Sequence, residues 1–157
     1  MVMNLSNVLN QNAVRVISKE TAKDNIFHEI GLIAHRVYGL KARYVCSSLL
    51  RREGEYSSAV GRGVAVPHCR FPEVKKTSGL FIKLAKPVDF KSRDRLGVDL
   101  IFGMLIPEDL PEVEHLKNFA LLARTLRDPE TQARLRSTEQ RWLIHTILTE
   151  ASKLEAA

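Results

Sequence analysis

This sequence has few cysteines and no long apolar run. Its two cysteines, Cys46 and Cys69, form no Cys-x-x-Cys pair of the kind that holds structural zinc, so we expect no metal site. The longest apolar stretch, residues 100–106, is far shorter than the roughly 20 residues that cross a bilayer. Residues 1–12 also lack the charged head and apolar block of a signal peptide. We therefore expect a cytoplasmic protein without membrane insertion and without a disulfide bond.

Aromatic residues are scarce as well, at 6% of the chain, whereas the formal net charge is +6. A basic charge invites a nucleic-acid partner. The lysines and arginines are scattered, however, and form no basic helical stripe with interleaved aromatics. We therefore expect no nucleic-acid binding and interpret the charge as a solvated surface suited to an acidic partner. The rejected alternative, a nucleic-acid-binding regulator, predicts steeply salt-dependent DNA binding.

Hydrophobic periodicity predicts an α/β fold. At 157 residues, with 45% hydrophobic and 27% charged residues, the chain fits one globular domain spanning residues 1–157. Helices alternate with strands, and the continuous apolar run of the last strand suits a central position buried on both faces, so we expect a sheet covered by helices on both sides. The predicted helices cover residues 21–37, 42–52, 109–126, 129–136 and 138–151, and the predicted strands cover residues 64–66, 79–84 and 98–106.

Several details of these helices follow from the sequence. Thr21 and Asp109 each precede an acidic residue at the spacing of a capping box and are predicted to cap their helices. Gly39 is predicted to end the first helix in the left-handed conformation. Leu116 and Trp142 are predicted to face the core.

One segment, residues 49–68, combines residue types that suit phosphate chemistry. A short strand leads through Pro67 to His68, and a loop rich in glycine and serine precedes it. A neutral imidazole is a nucleophile once its other nitrogen is held by a hydrogen bond. Backbone N–H groups of the loop can bind phosphate oxygens, and Arg52 can add a bidentate charged contact. These residue types alone leave a purely structural histidine as an open alternative.

The order of these residues resembles the signature of the phosphotransferase-system IIA proteins of the fructose, mannitol and nitrogen-regulatory class. The matching groups, in order, are Arg52-Glu53, Ser57-Ser58, Gly61-x-Gly63, Val64-Ala65-Val66 and Pro67-His68. A second family motif, a His-Leu pair that opens a helix, matches residues 115–124. The resemblance implies the type-2 IIA fold, a three-layer α/β sandwich with a central mixed sheet.

The resemblance also implies a function. His68 would accept a phosphoryl group, on Nε2, from the phosphohistidine of an HPr-like protein, with Arg52 and His115 as neighbours in the active site. The phosphate-binding residues would be Ser57, Ser58, Gly61 and Gly63. No cofactor is implied. The partners after the donor would be a regulated transporter, a kinase or a IIB-type acceptor.

Two alternatives stay open at this point. The nitrogen-regulatory branch is favoured because no IIB-type domain with a reactive cysteine loop is visible. The first alternative is a IIA protein that feeds a sugar permease. The second alternative is a regulator that binds partners without transferring phosphate, because Tyr56, Ala59 and Cys69 stand where the family usually has glycine. If the Cys69 position needs a positive φ, a cysteine there would cost about 1 kcal/mol.

Overall fold

The computed structural model describes residues 3–157, so Met1 and Val2 of the predicted domain lie outside the described residues. The helices are Leu5–Val8 (α1), Lys23–Tyr38 (α2), Ala42–Glu55 (α3), Glu112–Arg127 (α4), Pro129–Arg136 (α5) and Arg141–Ala156 (α6). The strands are Leu9–Ile17 (β1), Ala59–Gly61 (β2), Val64–Ala65 (β3), His68–Phe71 (β4), Ser78–Val88 (β5) and Val98–Pro107 (β6). Within this described part, no helix is both long and apolar enough to span a membrane.

The strands form one mixed sheet in the order β1-β5-β6-β3-β2. The central pair β5 and β6 is antiparallel, and β1 lies parallel to β5. Nearly every residue of β6 is buried, which requires cover on both faces of the sheet. Helices α2 and α3 pack together on one face, and α4, α5 and α6 pack together on the other. The predicted three-layer α/β sandwich is confirmed.

Strands β3 and β4 lie end to end along the same side of β6. Both run parallel to β6, with Ala65 opposite Ile101 and His68 opposite Met104. Pro67, which has no N–H to donate, falls between them, and its carbonyl accepts the N–H of Met104 at 2.9 Å. His68 therefore begins a second strand segment at the point where the first is interrupted.

The structure differs from the sequence prediction in several elements. Strands β1, β2 and β4 were not predicted. Helices α2 and α4 begin at Lys23 and Glu112, and neither has a side-chain cap, so the predicted caps Thr21 and Asp109 are wrong. The predicted end of α2 is confirmed, because Gly39 has φ of 74°.

Two residues predicted to be buried are exposed. Leu116 is 57% exposed and Trp142 is 67% exposed. On α4 the inward stripe follows His115, Asn118 and Leu122, so Leu116 falls on the outer face. The apolar pattern misled the prediction because three polar residues, His115, Asn118 and Thr125, occupy the inward stripe of this helix.

Candidate active site

His68 is half-buried and its ring is held by the backbone two residues before it. Its Nδ1 lies 2.8 Å from the carbonyl oxygen of Val66. A carbonyl can only accept, so Nδ1 carries the proton and donates it. The neutral ring consequently presents the lone pair of Nε2.

Arg52 lies next to that free nitrogen. It occupies the last turn of α3, and its Nη2 is 3.2 Å from Nε2 of His68. The guanidinium group has only donors, so it donates to the Nε2 lone pair. The sequence placed these residues in one site, and the structure brings them into direct contact.

His115 approaches His68 from the opposite helical layer. The two ring centroids are 5.3 Å apart and the rings are inclined by 43°. Phe119, one turn further along α4, packs its ring edge-to-face on His68 with centroids 5.1 Å apart. His68 is therefore flanked by α3 on one side and by α4 on the other.

The surroundings of His68 favour its neutral form. Burial lowers its pKa from the usual 6.5, and the positive charge of Arg52 and the neighbouring His115 lower the pKa further. The hydrogen bond to Val66 and the carboxylate of Glu53 act in the opposite direction without reversing the shift. At neutral pH the ring is uncharged, as a nucleophilic imidazole must be.

His115 is also held neutral. The residue is 7% exposed, and burial is the main cause that lowers its pKa, assisted by the charges of Arg70 and Arg52 and opposed by Glu112. Its Nδ1 is buried and has no hydrogen-bond partner among residues 3–157.

A small cavity of about 50 Å³ opens beside His68, and Arg52, Ser57 and Ser58 help to line it. The two serines differ in their hydrogen bonds. The Ser57 hydroxyl donates to the carbonyl of Phe90 and accepts the N–H of Ala59. The Ser58 hydroxyl oxygen is buried and makes no hydrogen bond within the described chain. The Ser58 hydroxyl is thus without a hydrogen-bond partner in the described chain, whereas the Ser57 hydroxyl makes two hydrogen bonds.

Glu53 is a site residue to which sequence reasoning gave no role. Both of its carboxylate oxygens accept the N–H of Ser58, at 3.1 and 3.0 Å, and one also pairs with Lys23 at 3.0 Å. Its side chain is only 5% exposed, so this charge is neutralised inside the protein. Glu53 fixes the loop that carries Ser58. The Arg-Glu pair of the family signature was the signal that pointed to it.

The structure does not bring Gly61 and Gly63 to this cavity. They flank Arg62 in the turn between β2 and β3, with φ of 92° and 82°, and Arg62 itself has φ of 56°. The Arg62 carbonyl accepts Nε2 of Gln132 at 2.9 Å, which fastens the turn to α5. This turn needs the two glycines for its left-handed conformation, and their phosphate-binding role stays a prediction.

The departures from the family signature leave the backbone unstrained. Cys69 pairs with Leu105 in a regular parallel ladder and is not among the residues with positive φ, so the strain considered for it is absent. Ala59 and Tyr56 also have ordinary backbone angles. None of these three residues has the positive φ that would favour glycine.

Comparison with known proteins gives consistent matches over nearly the whole chain. The sequence model of the family "Phosphoenolpyruvate-dependent sugar phosphotransferase system, EIIA 2" matches residues 7–151. The chain is 36% identical over 146 residues to a nitrogen regulatory protein of Bradyrhizobium diazoefficiens, covering 93% of this chain and 95% of that protein.

Two solved structures extend the comparison. The crystal structure of the nitrogen regulatory protein IIA-Ntr from Neisseria meningitidis superposes with a TM-score of 0.82 at 32% identity, covering 92% of this chain and 98% of that one. IIA mannitol from Escherichia coli superposes with a TM-score of 0.73 at 21% identity, covering 88% and 97% of the two chains, and shows the fold alone.

Proposed function

The chain belongs to the EIIA family, type 2, of the phosphoenolpyruvate-dependent sugar phosphotransferase system, and on that premise we propose that His68 is its phosphoryl acceptor. The observation that carries the proposal is the state of the ring: Nδ1–H is fixed on Val66, and the free Nε2 lies against Arg52. This is the arrangement that an imidazole nucleophile for phosphoryl transfer requires.

In the proposed step, Nε2 of His68 attacks the phosphorus of a phosphohistidine on an HPr-like donor. A new P–N bond forms as the P–N bond of the donor breaks, and that electron pair returns to the donor nitrogen. The Nδ1 proton of His68 stays on Nδ1, hydrogen-bonded to the Val66 carbonyl, so no base is needed to activate Nε2. The protein's task is positioning and charge stabilisation.

Three side chains are proposed to bind the transferred group. Arg52 contacts Nε2 in the free protein and moves its donors to the phosphoryl oxygens once that nitrogen is occupied. The buried Nδ1 of His115 has no acceptor, so this ring is most stable with its proton on Nε2, where it can donate to a phosphoryl oxygen. The unpartnered hydroxyl of Ser58 supplies a third donor.

The outer face of α4 offers a docking surface for the donor. Val113 and Leu116 are 65% and 57% exposed, and they flank His115 in the sequence. Tyr56, 74% exposed, helps to line the cavity beside His68. Exposed apolar residues around a reactive group are typical of a protein interface.

We propose that the phosphorylated protein acts as a signal in the manner of the nitrogen-regulatory branch. The match to a nitrogen regulatory protein over 93% of the chain favours this branch over a sugar-specific IIA. Phosphorylation adds a charge of about −1.5 to −2 near neutral pH, enough to switch the binding of a transporter or kinase at this surface. Residues 1–157 would act as one domain, in the cytoplasm, where the free thiols of Cys46 and Cys69 stay reduced.

The test is phosphorylation by an HPr-like donor charged from radiolabelled phosphoenolpyruvate. We expect label on the wild type and none on His68→Ala, with the modified nitrogen identified as Nε2 by NMR. Label that persists on His68→Ala would overturn the assignment. A wild type that takes no label from either a nitrogen-branch or a sugar-branch donor would instead identify a regulator that does not transfer phosphate. Passage of the label to a IIB-type domain would favour the sugar-specific alternative.

A further inference from the structure

Arg70 lies two residues after His68 in β4 and reaches across to the segment that leads into α4. Its Nη1 donates to three carbonyl oxygens, those of Pro107 and Glu108 at 3.2 Å each and that of Leu110 at 2.7 Å. One guanidinium group thus binds almost the whole connection between β6 and α4. Sequence analysis gave this arginine no role.

The same side chain also contacts the first turn of α4. Its Nη2 pairs with Glu112 at 2.9 Å. The two side chains are 30% and 67% exposed, so the ion pair itself contributes little to stability. The three carbonyl contacts are therefore the stronger part of the attachment, because they satisfy backbone acceptors of a short connection.

This attachment matters because α4 has no side-chain cap at its start. Pro111 occupies the N-cap position and makes no capping hydrogen bond. His115 lies in the first turns of the helix, so its position depends on how the connection before it is held. Arg70 joins that connection to the strand that begins with His68.

We propose that Arg70 is a positioning residue for phosphoryl transfer, which fixes α4 against β4 and thereby sets the placement of His115 relative to His68. The inference rests on the proposed function, since the two histidines must act on one phosphoryl group. Errors of about 1 Å in such a constellation cost about 100-fold in rate.

The first experiment measures transfer from the charged HPr-like donor at varied donor concentration. We expect Arg70→Ala to lower kcat about 10- to 100-fold, because the placement of His115 is lost, and to change KM by a smaller factor. Arg70→Lys keeps the charge and some of the donors, and should recover part of the loss. Glu112→Gln removes only the ion pair and should cost less than Arg70→Ala. Arg134→Ala, an exposed arginine on α5, is the matched control.

A double-mutant cycle then separates positioning from a general loss of structure. If Arg70 acts through His115, Arg70→Ala should have little further effect on transfer in a His115→Ala background. Additive losses in the cycle would overturn the inference, as would unchanged kcat in Arg70→Ala. If Arg70→Ala fails to fold, the same cycle with Arg70→Lys tests whether Arg70 acts through His115. Wild-type labelling on His68 is measured in parallel, so failure of the proposed function is seen separately from failure of the Arg70 inference.

Discussion

The tautomer of His68 is fixed by a backbone carbonyl rather than by a carboxylate. The carbonyl of Val66 accepts the Nδ1 proton and fixes the tautomer, and this hydrogen bond by itself raises the pKa of the ring. Burial and the positive charge of Arg52 act in the opposite sense and lower the pKa of the ring. The proposed nucleophile is thus kept neutral, and the guanidinium proposed to bind the phosphoryl group already lies beside it.

The proposed role of Arg52 can be tested by comparing its alanine variant with that of Arg51. Arg52→Ala should slow phosphoryl transfer about 100-fold, because it removes a charged donor from the group being transferred. Its side chain is exposed, so the melting temperature should change little. Arg51→Ala, one residue earlier on the same helix and also exposed, serves as the control. Equal transfer rates for the two variants would remove Arg52 from the site.

Substitution by alanine should affect Ser57 and Ser58 differently, lowering stability at Ser57 and the transfer rate at Ser58. Ser58→Ala removes a buried hydroxyl without a partner and should leave the free energy of unfolding nearly unchanged, while transfer slows about five- to tenfold, the worth of one hydrogen bond of about 1 kcal/mol. Ser57→Ala breaks bonds to Phe90 and Ala59 and should destabilise the fold by about 1 kcal/mol with transfer retained. Urea unfolding and the transfer assay measure both quantities. The opposite pattern would exchange the roles of the two residues.

At the scale of elements, the strand that carries His68 shows what sequence could predict. The apolar run and Pro67 predicted a short strand ending at the histidine, and that strand exists as Val64–Ala65. The continuation, His68–Phe71, depends on pairing with Met104 and its neighbours, a contact between residues distant in sequence. Strand β1 was missed for the same reason, since its polar residues 10–12 hide the pattern and its place is set by pairing with β5.

The site itself was predicted in part. His68, Arg52 and His115 carried motif signals, and the structure brings them together. Sequence reasoning assigned no role to Glu53, whose two carboxylate oxygens accept the N–H of Ser58, or to Arg70, which donates to three carbonyls, because both side chains act on backbone groups. Any segment has such groups, so residue identity does not reveal which of them will be bound.

The β2–β3 turn gives a prediction at this scale. A Cβ added at Gly63 would lie 2.6 Å from Nη2 of Arg136, a guanidinium that Asp99 holds in place at 2.8 Å. Gly63→Ala should therefore destabilise the protein by about 1–3 kcal/mol, since φ is positive and the neighbour is not free to yield. Gly54→Ala, in α3 with open space around it, should stabilise slightly. Thermal unfolding of both variants is the measurement, and a neutral Gly63→Ala would mean that the turn relaxes.

At the scale of the whole molecule, the candidate active site lies where the two helical layers meet across an interrupted strand. Helix α3 brings Arg52 from one layer and α4 brings His115 from the other, so the site exists only in the folded chain. Folding removes much of the water around His68 and His115. The pKa values of both are lowered, chiefly by burial, and this ties the stability of the fold to pH.

The sign of this coupling follows from proton binding. Below the usual pKa of 6.5 the unfolded chain takes up protons on these two residues before the folded chain does, so stability falls as the pH drops below about 6.5. Each group contributes at most about 1.4 kcal/mol per pH unit. The lowered pKa of Asp94 acts only below 3.8, outside this range. Urea unfolding at pH 7.5 and pH 5.5 should show the loss, and a His68→Gln/His115→Gln double variant should lose less over the same interval. An equal loss of stability in both proteins would mean that other groups take up the protons. It would also mean that burial does not destabilise the charged forms of these two rings.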